Sequence, residues 1–277
     1  MLTTKAAAAA ELKWRKAKKS CINFIRKYVY IEDRDAPELA VPFALWPKQA
    51  KVIEAFLVNR LTILLKSRQL GATWGSLAYA AWRLVFTPGY SVVALSKRED
   101  DAKELTRRMA FILRYLPRWM IREKKTAGKN FSGPVWEATS LSIVITHTDG
   151  EQSTFTAMSS APDSGRSFTS SLVILDEWAF QSYAEEIWAA AYPTVNRPTG
   201  GQVIGLSTNK RGSFFESLWK GAVKGENGFT PIFLPWWTDP RRTKEWYEAS
   251  KKALPHSYLQ EYPATPEEAL SAGEGTA

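Results

Sequence analysis

The sequence predicts an α/β fold in which a mainly parallel central sheet is flanked by helices. Apolar runs at residues 61–65, 91–95, 171–177 and 201–206 are continuous rather than alternating, as in strands buried on both faces. Patterns typical of helices separate these runs along the chain. Because alternating strands and helices form parallel sheets with helices on their faces, the two observations together predict the fold class.

The composition indicates a globular protein with a polyanionic partner. Its 277 residues suit one large domain, or one domain with a small appendage. A hydrophobic fraction of 45% and twelve tryptophans are sufficient for a packed core. The formal net charge of +9 favours a nucleic-acid partner, although solubility alone also explains an excess of Lys and Arg.

Several kinds of site are not indicated. Cys21 is the single cysteine, which excludes an internal disulfide and favours a reducing compartment. The two histidines, His147 and His256, are isolated, so no zinc site is predicted. No apolar run approaches the ~20 residues that a membrane helix needs, and the N-terminus lacks a signal-peptide pattern. We therefore expect no membrane partner.

The sequence divides into three segments. Residues 1–40 are the first segment. A basic helix is predicted over residues 1–30, and a linker follows it. Residues 41–245 hold the alternating strands and helices, and residues 246–277 are predicted to be a helix and a linker. The first segment contains a basic cluster. A solvated helix face, contact with DNA or a partner subunit, or a basic targeting segment would each explain it. The cluster is Lys13, Arg15, Lys16, Lys18 and Lys19.

Local patterns predict further elements of the middle segment. Helices are expected at residues 74–86, after the polar stretch 96–102 as far as residue 116, and at 185–192, where Pro193 would end the helix. Alternating runs at residues 141–146 and 153–158 around a turn predict a hairpin. Residues 31–45 and 124–133 are expected to be irregular.

A polar loop between the first buried strand and a helix carries a phosphate-binding pattern. Backbone N–H groups in such a loop, and at the following helix N-terminus, point at an anion. Against the pattern G-x-x-x-x-G-K-[ST], Gly71 matches the second glycine and Thr73 the hydroxyl that holds Mg²⁺. Ala72 stands at the lysine position and Lys66 at the first glycine, so Lys66 would reach back onto the β and γ phosphates. An ordinary strand-to-helix turn with a stray lysine is the alternative.

The run at residues 171–177 supplies the second half of this candidate site. It ends in Asp176 and Glu177, at the strand end where open α/β sheets bind ligands. There Asp176 would hold Mg²⁺, and Glu177 would orient and deprotonate a water. A strand with acidic residues at its solvent end is the alternative. Both halves in this order, each after an apolar strand, favour a nucleoside-triphosphate site.

The two motifs resemble those of the large terminase subunits of tailed bacteriophages, which are DNA-packaging motors. Lys-Ser-Arg-Gln-Leu-Gly-Ala-Thr-Trp at residues 66–74 resembles their phosphate loop, and Leu-Asp-Glu-Trp-Ala-Phe at 175–180 resembles their acidic strand motif. Some family members also carry the loop lysine early, so Ala72 resembles a natural variant. The resemblance covers about residues 43–266 and implies a P-loop NTPase fold of the ASCE type.

The resemblance also implies roles for residues outside the two motifs. Gln49 would read adenine through its amide, whereas a surface glutamine at a helix start is the alternative. Arg166, or equally Arg68, is the candidate arginine finger, and a surface ion pair is the alternative for Arg166. Residues 207–209 resemble the coupling motif that senses the γ-phosphate, although many plain turns share this composition.

The implied site therefore has four groups of residues. The groups are catalytic (Glu177, Lys66, Arg166, Arg68), ATP-binding (Gln49, Lys66, Ser67, Arg68, Gln69, Leu70, Gly71, Ala72, Thr73, Trp74), Mg²⁺-binding (Thr73, Asp176) and coupling (Ser207, Thr208, Asn209).

The function implied by the resemblance is an ATPase motor that drives double-stranded DNA into a viral procapsid. It would work in the host cytoplasm as a homo-oligomeric ring at the capsid portal, with the small terminase subunit, and would grip DNA through its phosphates. The alternatives are a helicase-like DNA-dependent ATPase and a non-hydrolysing nucleotide- or DNA-binding module. Residues 258–269 resemble the segment that leads to the nuclease domain of terminases, and nuclease activity is not expected from this chain.

Overall fold

The computed structural model describes residues 4–162, 164, 170–196 and 200–272. The helices are α1 (Thr4–Lys19), α2 (Cys21–Tyr28), α3 (Pro47–Val58), α4 (Ala72–Phe86), α5 (Glu99–Tyr115), α6 (Ala184–Val195), α7 (Phe214–Lys224), α8 (Lys244–Ala253), α9 (Tyr258–Glu261) and α10 (Pro266–Ser271). The strands are β1 (Tyr30–Glu32), β2 (Ala40–Pro42), β3 (Leu61–Lys66), β4 (Ser91–Ser96), β5 (Arg122–Glu123), β6 (Val135–Ala138), β7 (Ser142–Thr146), β8 (Gln152–Ser159), β9 (Leu172–Asp176), β10 (Gln202–Ser207) and β11 (Thr230–Leu234). Short 3₁₀ helices cover Lys124–Thr126, Trp178–Phe180 and Trp236–Thr238.

Among the described residues, the central sheet has nine strands in the order β11-β3-β10-β9-β4-β8-β7-β6-β5. From β11 to β8 all neighbours are parallel, whereas β7 is antiparallel to both β6 and β8. The hairpin β7–β8 lies where the alternating runs predict it. The prediction of an α/β fold with a mainly parallel sheet is confirmed.

Two hydrophobic cores cover the two faces of the sheet. Adjacent residues of a strand point to opposite faces, so Leu64 lies in the core with helices α1 to α5, while Ile63 and Leu65 lie in the core with α6 and α7. Phe56 and Phe215, both fully buried, belong to the first and the second core respectively. Burial on both faces explains why the central strands are continuous apolar runs.

The register of the parallel strands brings the predicted motifs to one edge of the sheet. Ser207 pairs with Leu65 of β3, and Leu206 pairs with Asp176 of β9. The carboxyl ends of β3, β10 and β9 therefore lie side by side. The phosphate loop, the coupling segment and the acidic motif all leave the sheet at these ends.

The structure corrects the predictions for the N-terminal segment. The predicted single helix over residues 1–30 is broken at Ser20, whose hydroxyl accepts a hydrogen bond from the backbone N–H of Asn23 and starts α2. The predicted linker at residues 31–45 contains the two-stranded antiparallel sheet β1–β2. It is held against α5 by stacking of Tyr30 on Tyr115, with ring centroids 5.5 Å apart.

Other corrections concern proline and short elements. Helix α6 continues through Pro193 to Val195. So close to the helix end the proline costs only one hydrogen bond, and the burial of Val195 stabilises the last turn. Strand β11 contains Pro231, which argues against a strand in sequence but is tolerated here because β11 lies at the sheet edge. Strand β6 and helix α7 were not predicted. Within the described segments, no helix has the length and apolarity to span a membrane.

Candidate nucleotide-binding site

The loop between β3 and α4 has the backbone shape of an anion-binding turn. Gln69 and Gly71 both have left-handed backbone, with φ of 58° and 66°. Left-handed residues in a turn produce concavities lined by N–H groups, and the N-terminus of α4 begins immediately after Gly71. A Cβ atom at Gly71 would lie 3.0 Å from Nε2 of Gln49, so both the φ angle and the close approach require glycine.

Lys66 meets Glu177 beside this loop. Lys66 is 5% exposed, and its ammonium group donates a hydrogen bond to Oε1 of Glu177 at 2.9 Å. Glu177 follows β9 directly and has left-handed backbone, with a φ of 48°. This conformation is uncommon for residues other than glycine and is concentrated at functional sites. The displaced lysine and the predicted general base therefore form one ion pair.

Thr73 and Asp176 also lie together, as the predicted metal site requires. Oγ1 of Thr73 donates to Oδ1 of Asp176 at 2.8 Å. Burial, and next the negative charge of Glu177, raise the pKa of the Asp176 carboxyl to about 6, while the charges of Lys66 and Arg108 act in the opposite direction.

This pair of oxygen ligands fits a hard divalent cation. A hydroxyl beside a carboxylate matches the preference of Mg²⁺ for oxygen, and Mg²⁺ completes its coordination with phosphates and water. Across the described ranges, no group of three or more His, Cys, Asp or Glu could hold a metal. The donor set therefore suits a Mg²⁺ ion that arrives with a phosphate ligand, rather than one held by an all-protein cage.

Gln181, which the sequence analysis missed, fixes the end of β9. Its Nε2 atom donates to the carbonyls of Asp176 and Leu95 at 2.8 and 3.0 Å, and its Oε1 accepts from the hydroxyl of Ser160. These contacts join the carboxyl ends of β9, β4 and β8. The available sequence signal was a polar residue soon after the acidic motif, which is too common to single out.

Gln49 is placed beside the loop with both ends of its amide engaged. Oε1 accepts from the backbone N–H of Trp46, and Nε2 donates to the carbonyl of Leu70, both at 2.9 Å. The side chain is buried and joins the start of α3 to the phosphate loop. Adenine recognition by Gln49 stays a prediction, and its contacts in this structure are internal.

The first residues of the loop are held by the C-terminal segment (residues 246–277) and by Arg242. The backbone carbonyl of Glu261 accepts from the N–H of Arg68 at 2.8 Å and from the hydroxyl of Ser67 at 3.0 Å. The Glu261 carboxylate pairs with the Arg68 guanidinium at 2.7 Å, and Arg242 donates to the Arg68 carbonyl. Arg68 thus points to the C-terminal segment in this structure. Arg166, the other candidate finger, lies outside the described residues.

The coupling segment is buried and contacts two other parts of the molecule. The hydroxyl of Ser207 accepts from the backbone N–H of Ala179, in the turn after the acidic motif, at 3.2 Å. Asn209 donates through Nδ2 to the carbonyl of Ala269 in α10 at 3.0 Å. Thr208 is 6% exposed. These contacts connect the acidic motif with the C-terminal helices, and the coupling role stays a prediction.

A cleft of about 1010 Å³ surrounds the loop. Its walls come from α3, the β1–β2 hairpin, α4, α5 and the C-terminal segment. The volume lies at the upper end of the range for small-molecule sites, about 300–1000 Å³. The residues that line it include Trp46, Lys66, Gly71, Thr73, Trp74, Arg108, Glu177, Arg241 and Arg242.

Solved structures with a similar fold include large terminases of bacteriophages. A mutant of the large terminase ATPase domain of Thermus phage P74-26 shares 19% identity and a TM-score of 0.61, over 78% of this chain and 92% of that chain. The unmutated domain shares 21% identity and a TM-score of 0.58, over 77% of this chain and 92% of that chain. The large terminase of bacteriophage HK97 shares 17% identity and a TM-score of 0.59, over 93% of this chain and 51% of that chain. At these identities the likeness establishes a shared fold.

The family comparison extends this result to the sequence. The model described as terminase large subunit, T4likevirus-type, N-terminal, matches residues 63–274, which include both halves of the candidate site. The predicted resemblance to large terminase subunits is thereby confirmed. The chain belongs to the large terminase subunit family of the T4likevirus type.

Proposed function

We propose that this chain is an ATPase motor domain that hydrolyses ATP with Mg²⁺ to translocate double-stranded DNA into a procapsid. The observation that carries the proposal is the meeting of two pairs, Lys66 with Glu177 and Thr73 with Asp176, at the carboxyl ends of β3 and β9, which flank β10. Family membership and a fold shared with proteins described as terminase ATPase domains support it.

The residues of the loop would bind the triphosphate. The N–H groups around the left-handed Gln69 and Gly71 form the anion cradle, and Lys66 adds a positive charge. An ammonium group has three N–H donors, and Glu177 uses one of them. Lys66 can therefore contact a phosphate oxygen from its position at the start of the loop while it keeps the carboxylate in place.

Glu177 would act as the general base. Its carboxylate is 30% exposed beside the cleft, so a water can reach it, and the ammonium of Lys66 fixes its direction. Thr73 and Asp176 would hold Mg²⁺, which supplies charge neutralisation at the phosphates when bound. Glu177 would orient the attacking water and accept its proton.

Family membership and charge support the proposed partners. Double-stranded DNA would be bound through its phosphates, which suits a formal net charge of +9. A homo-oligomeric ring at the capsid portal, the small terminase subunit and the host cytoplasm complete the proposal as the setting in which such a motor works.

Phosphate release in the presence of different nucleic acids tests this function. We expect turnover that linear duplex DNA stimulates, and a stimulation that decreases as salt rises. Stimulation by single strands alone, together with strand separation, would favour the helicase-like alternative. Bound ATP without turnover, in the presence of duplex DNA and at every protein concentration, would favour the non-hydrolysing module.

A further inference from the structure

Arg108 of α5 lines the same cleft as the phosphate loop. Its guanidinium carbon lies 5.3 Å from the ring centroid of Trp74, the residue that directly follows Thr73. The Trp74 ring is in turn fixed by edge-to-face packing on Phe111, with centroids 5.9 Å apart. The charged plane of Arg108 is therefore held beside the first turn of α4.

A hydrogen bond to Glu104, within a network of ion pairs, fixes the direction of Arg108. Its Nε atom donates to Oε1 of Glu104 at 2.9 Å. Glu104 is held from the other side by Arg107 at 2.6 and 2.8 Å, and Arg107 forms a two-pronged pair with Glu32 of β1 at 2.6 Å for each contact. Bidentate, charge-assisted ion pairs are stronger and more specific in geometry than single contacts. The network leaves Arg108 pointing at the cleft.

The outer nitrogens of Arg108 are available for a ligand. Within the described part of the chain, its two Nη atoms have no hydrogen-bond partner, and its side chain is 31% exposed. The guanidinium of Arg107, the preceding residue, is fully engaged within the protein, since Glu104 and Glu32 occupy its Nε and both Nη atoms. Two adjacent arginines of one helix thus separate into one that holds the structure and one that faces the cleft.

We propose that Arg108 is a phosphate-binding residue, which contacts the triphosphate of the nucleotide from within the same chain. The inference rests on the proposed function, because it takes the cleft around Lys66 and Thr73 as the nucleotide site. A planar guanidinium matches phosphate oxygens with two parallel N–H donors. Nothing in the sequence separates Arg108 from Arg107, so only the fold reveals the difference.

Tripolyphosphate is the probe for this inference, because it has the phosphates of ATP without the base and sugar. We would measure the binding of tripolyphosphate and of ATP, each with Mg²⁺, by calorimetry for the wild type, Arg108→Ala and Arg107→Ala. Hydrogen bonds between charged groups lead us to expect binding of both ligands about 10-fold weaker or more in Arg108→Ala. Arg107→Ala is the matched control: Glu104 keeps its direct hydrogen bond to Arg108 in this variant, so we expect binding to change less than about 3-fold.

The control separates a ligand contact from damage to the fold. Arg107 makes more ion-pair contacts than Arg108, so a purely structural effect would be larger in Arg107→Ala, and thermal unfolding of both variants measures that effect directly. Equal affinity for tripolyphosphate in Arg108→Ala and the wild type would overturn the role of Arg108 and leave the proposed function standing. Weaker ATP binding with unchanged tripolyphosphate binding would overturn it too. A wild-type protein that binds neither ligand would instead overturn the proposed function.

Discussion

The ammonium nitrogen of Lys66 and Oε1 of Glu177 lie 2.9 Å apart, although 111 residues separate them in the sequence. They come together because β3 and β9 are both neighbours of β10, in parallel register. The loop position that usually carries a lysine holds Ala72 instead. The structure thus places a positive charge at the site from the opposite end of the loop, in direct contact with the predicted general base.

Replacement of that base should abolish turnover while nucleotide binding remains. We expect Glu177→Gln to lower the rate of ATP hydrolysis by about 10² to 10⁴-fold, the contribution of general base catalysis. The affinity for ATP should change little, because the amide keeps the size of the side chain and can still accept from Lys66. Phosphate release and calorimetric ATP binding check the two halves of this prediction.

A second glutamine variant provides the control for Glu177→Gln. Glu186 is exposed on α6, so Glu186→Gln makes the same change of charge away from the loop. Its rate should equal that of the wild type. If Glu177→Gln kept the wild-type rate as well, the assignment of Glu177 as the base would be wrong.

Gly71 should be required for nucleotide binding. Its φ of 66° is strained for alanine, and the new Cβ would press on the Gln49 amide at 3.0 Å. We expect Gly71→Ala to lose about 1–2 kcal/mol of stability from the backbone and, in addition, to weaken ATP binding because the loop shifts. Denaturant unfolding and calorimetry measure the two effects.

Gly150 gives a matched comparison for Gly71. It has a φ of 88° in the β7–β8 hairpin, and a Cβ atom there would meet nothing within 4 Å. Gly150→Ala should therefore lose similar stability but bind ATP like the wild type. Equal ATP binding in the two variants would contradict the phosphate-cradle role of the loop.

The ion pairs around Glu104 should give an acid-sensitive contribution to stability. Hydrogen bonds from Arg107 lower the pKa of Glu104 to about 2 from its ordinary 4.5. A carboxyl with a lowered folded-state pKa stabilises the fold above its unfolded pKa, and this contribution is lost as the pH falls towards the folded value. Arg107→Ala should lower the Tm most above about pH 5, and the gap to the wild type should narrow as the pH falls towards about 2.

The same pH series contains its own test. The Arg107 and Glu104 side chains are partly exposed, so the stabilisation is modest and should decrease with added salt. A gap in Tm that stays constant or widens towards acid would contradict the assignment of the effect to these carboxylates.

The sequence was sufficient to predict the elements that carry strong local signals. The strands that end in Lys66, Asp176 and Ser207 are continuous apolar runs, and such runs are distinctive because few other structures need them. The proximity of Thr73 to Asp176 was also predictable, because the carboxyl ends of all parallel strands in a sheet lie at one edge of it.

Contacts across the fold were not predictable in this way. The pairing of Arg68 with Glu261 joins residues 193 positions apart, and no local pattern marks either partner. The C-terminal segment was expected to be a helix and a linker, yet Ala269 is fully buried in the second core. The internal hydrogen bonds of the Gln49 amide were also not predictable. The sequence pattern of a glutamine at a helix start is the same whether the amide contacts a ligand or a loop.

Steady-state ATP hydrolysis by Lys66→Ala tests the central claim most directly. Lys51→Ala is the control, because Lys51 is exposed on α3 and its loss removes the same charge. With duplex DNA present, we expect Lys66→Ala to lose turnover by about 10²-fold or more, as for other groups that stabilise charge in the transition state, and Lys51→Ala to keep the wild-type rate. Hydrolysis by a folded Lys66→Ala protein at the wild-type rate would contradict the claim that the displaced lysine serves the phosphate site.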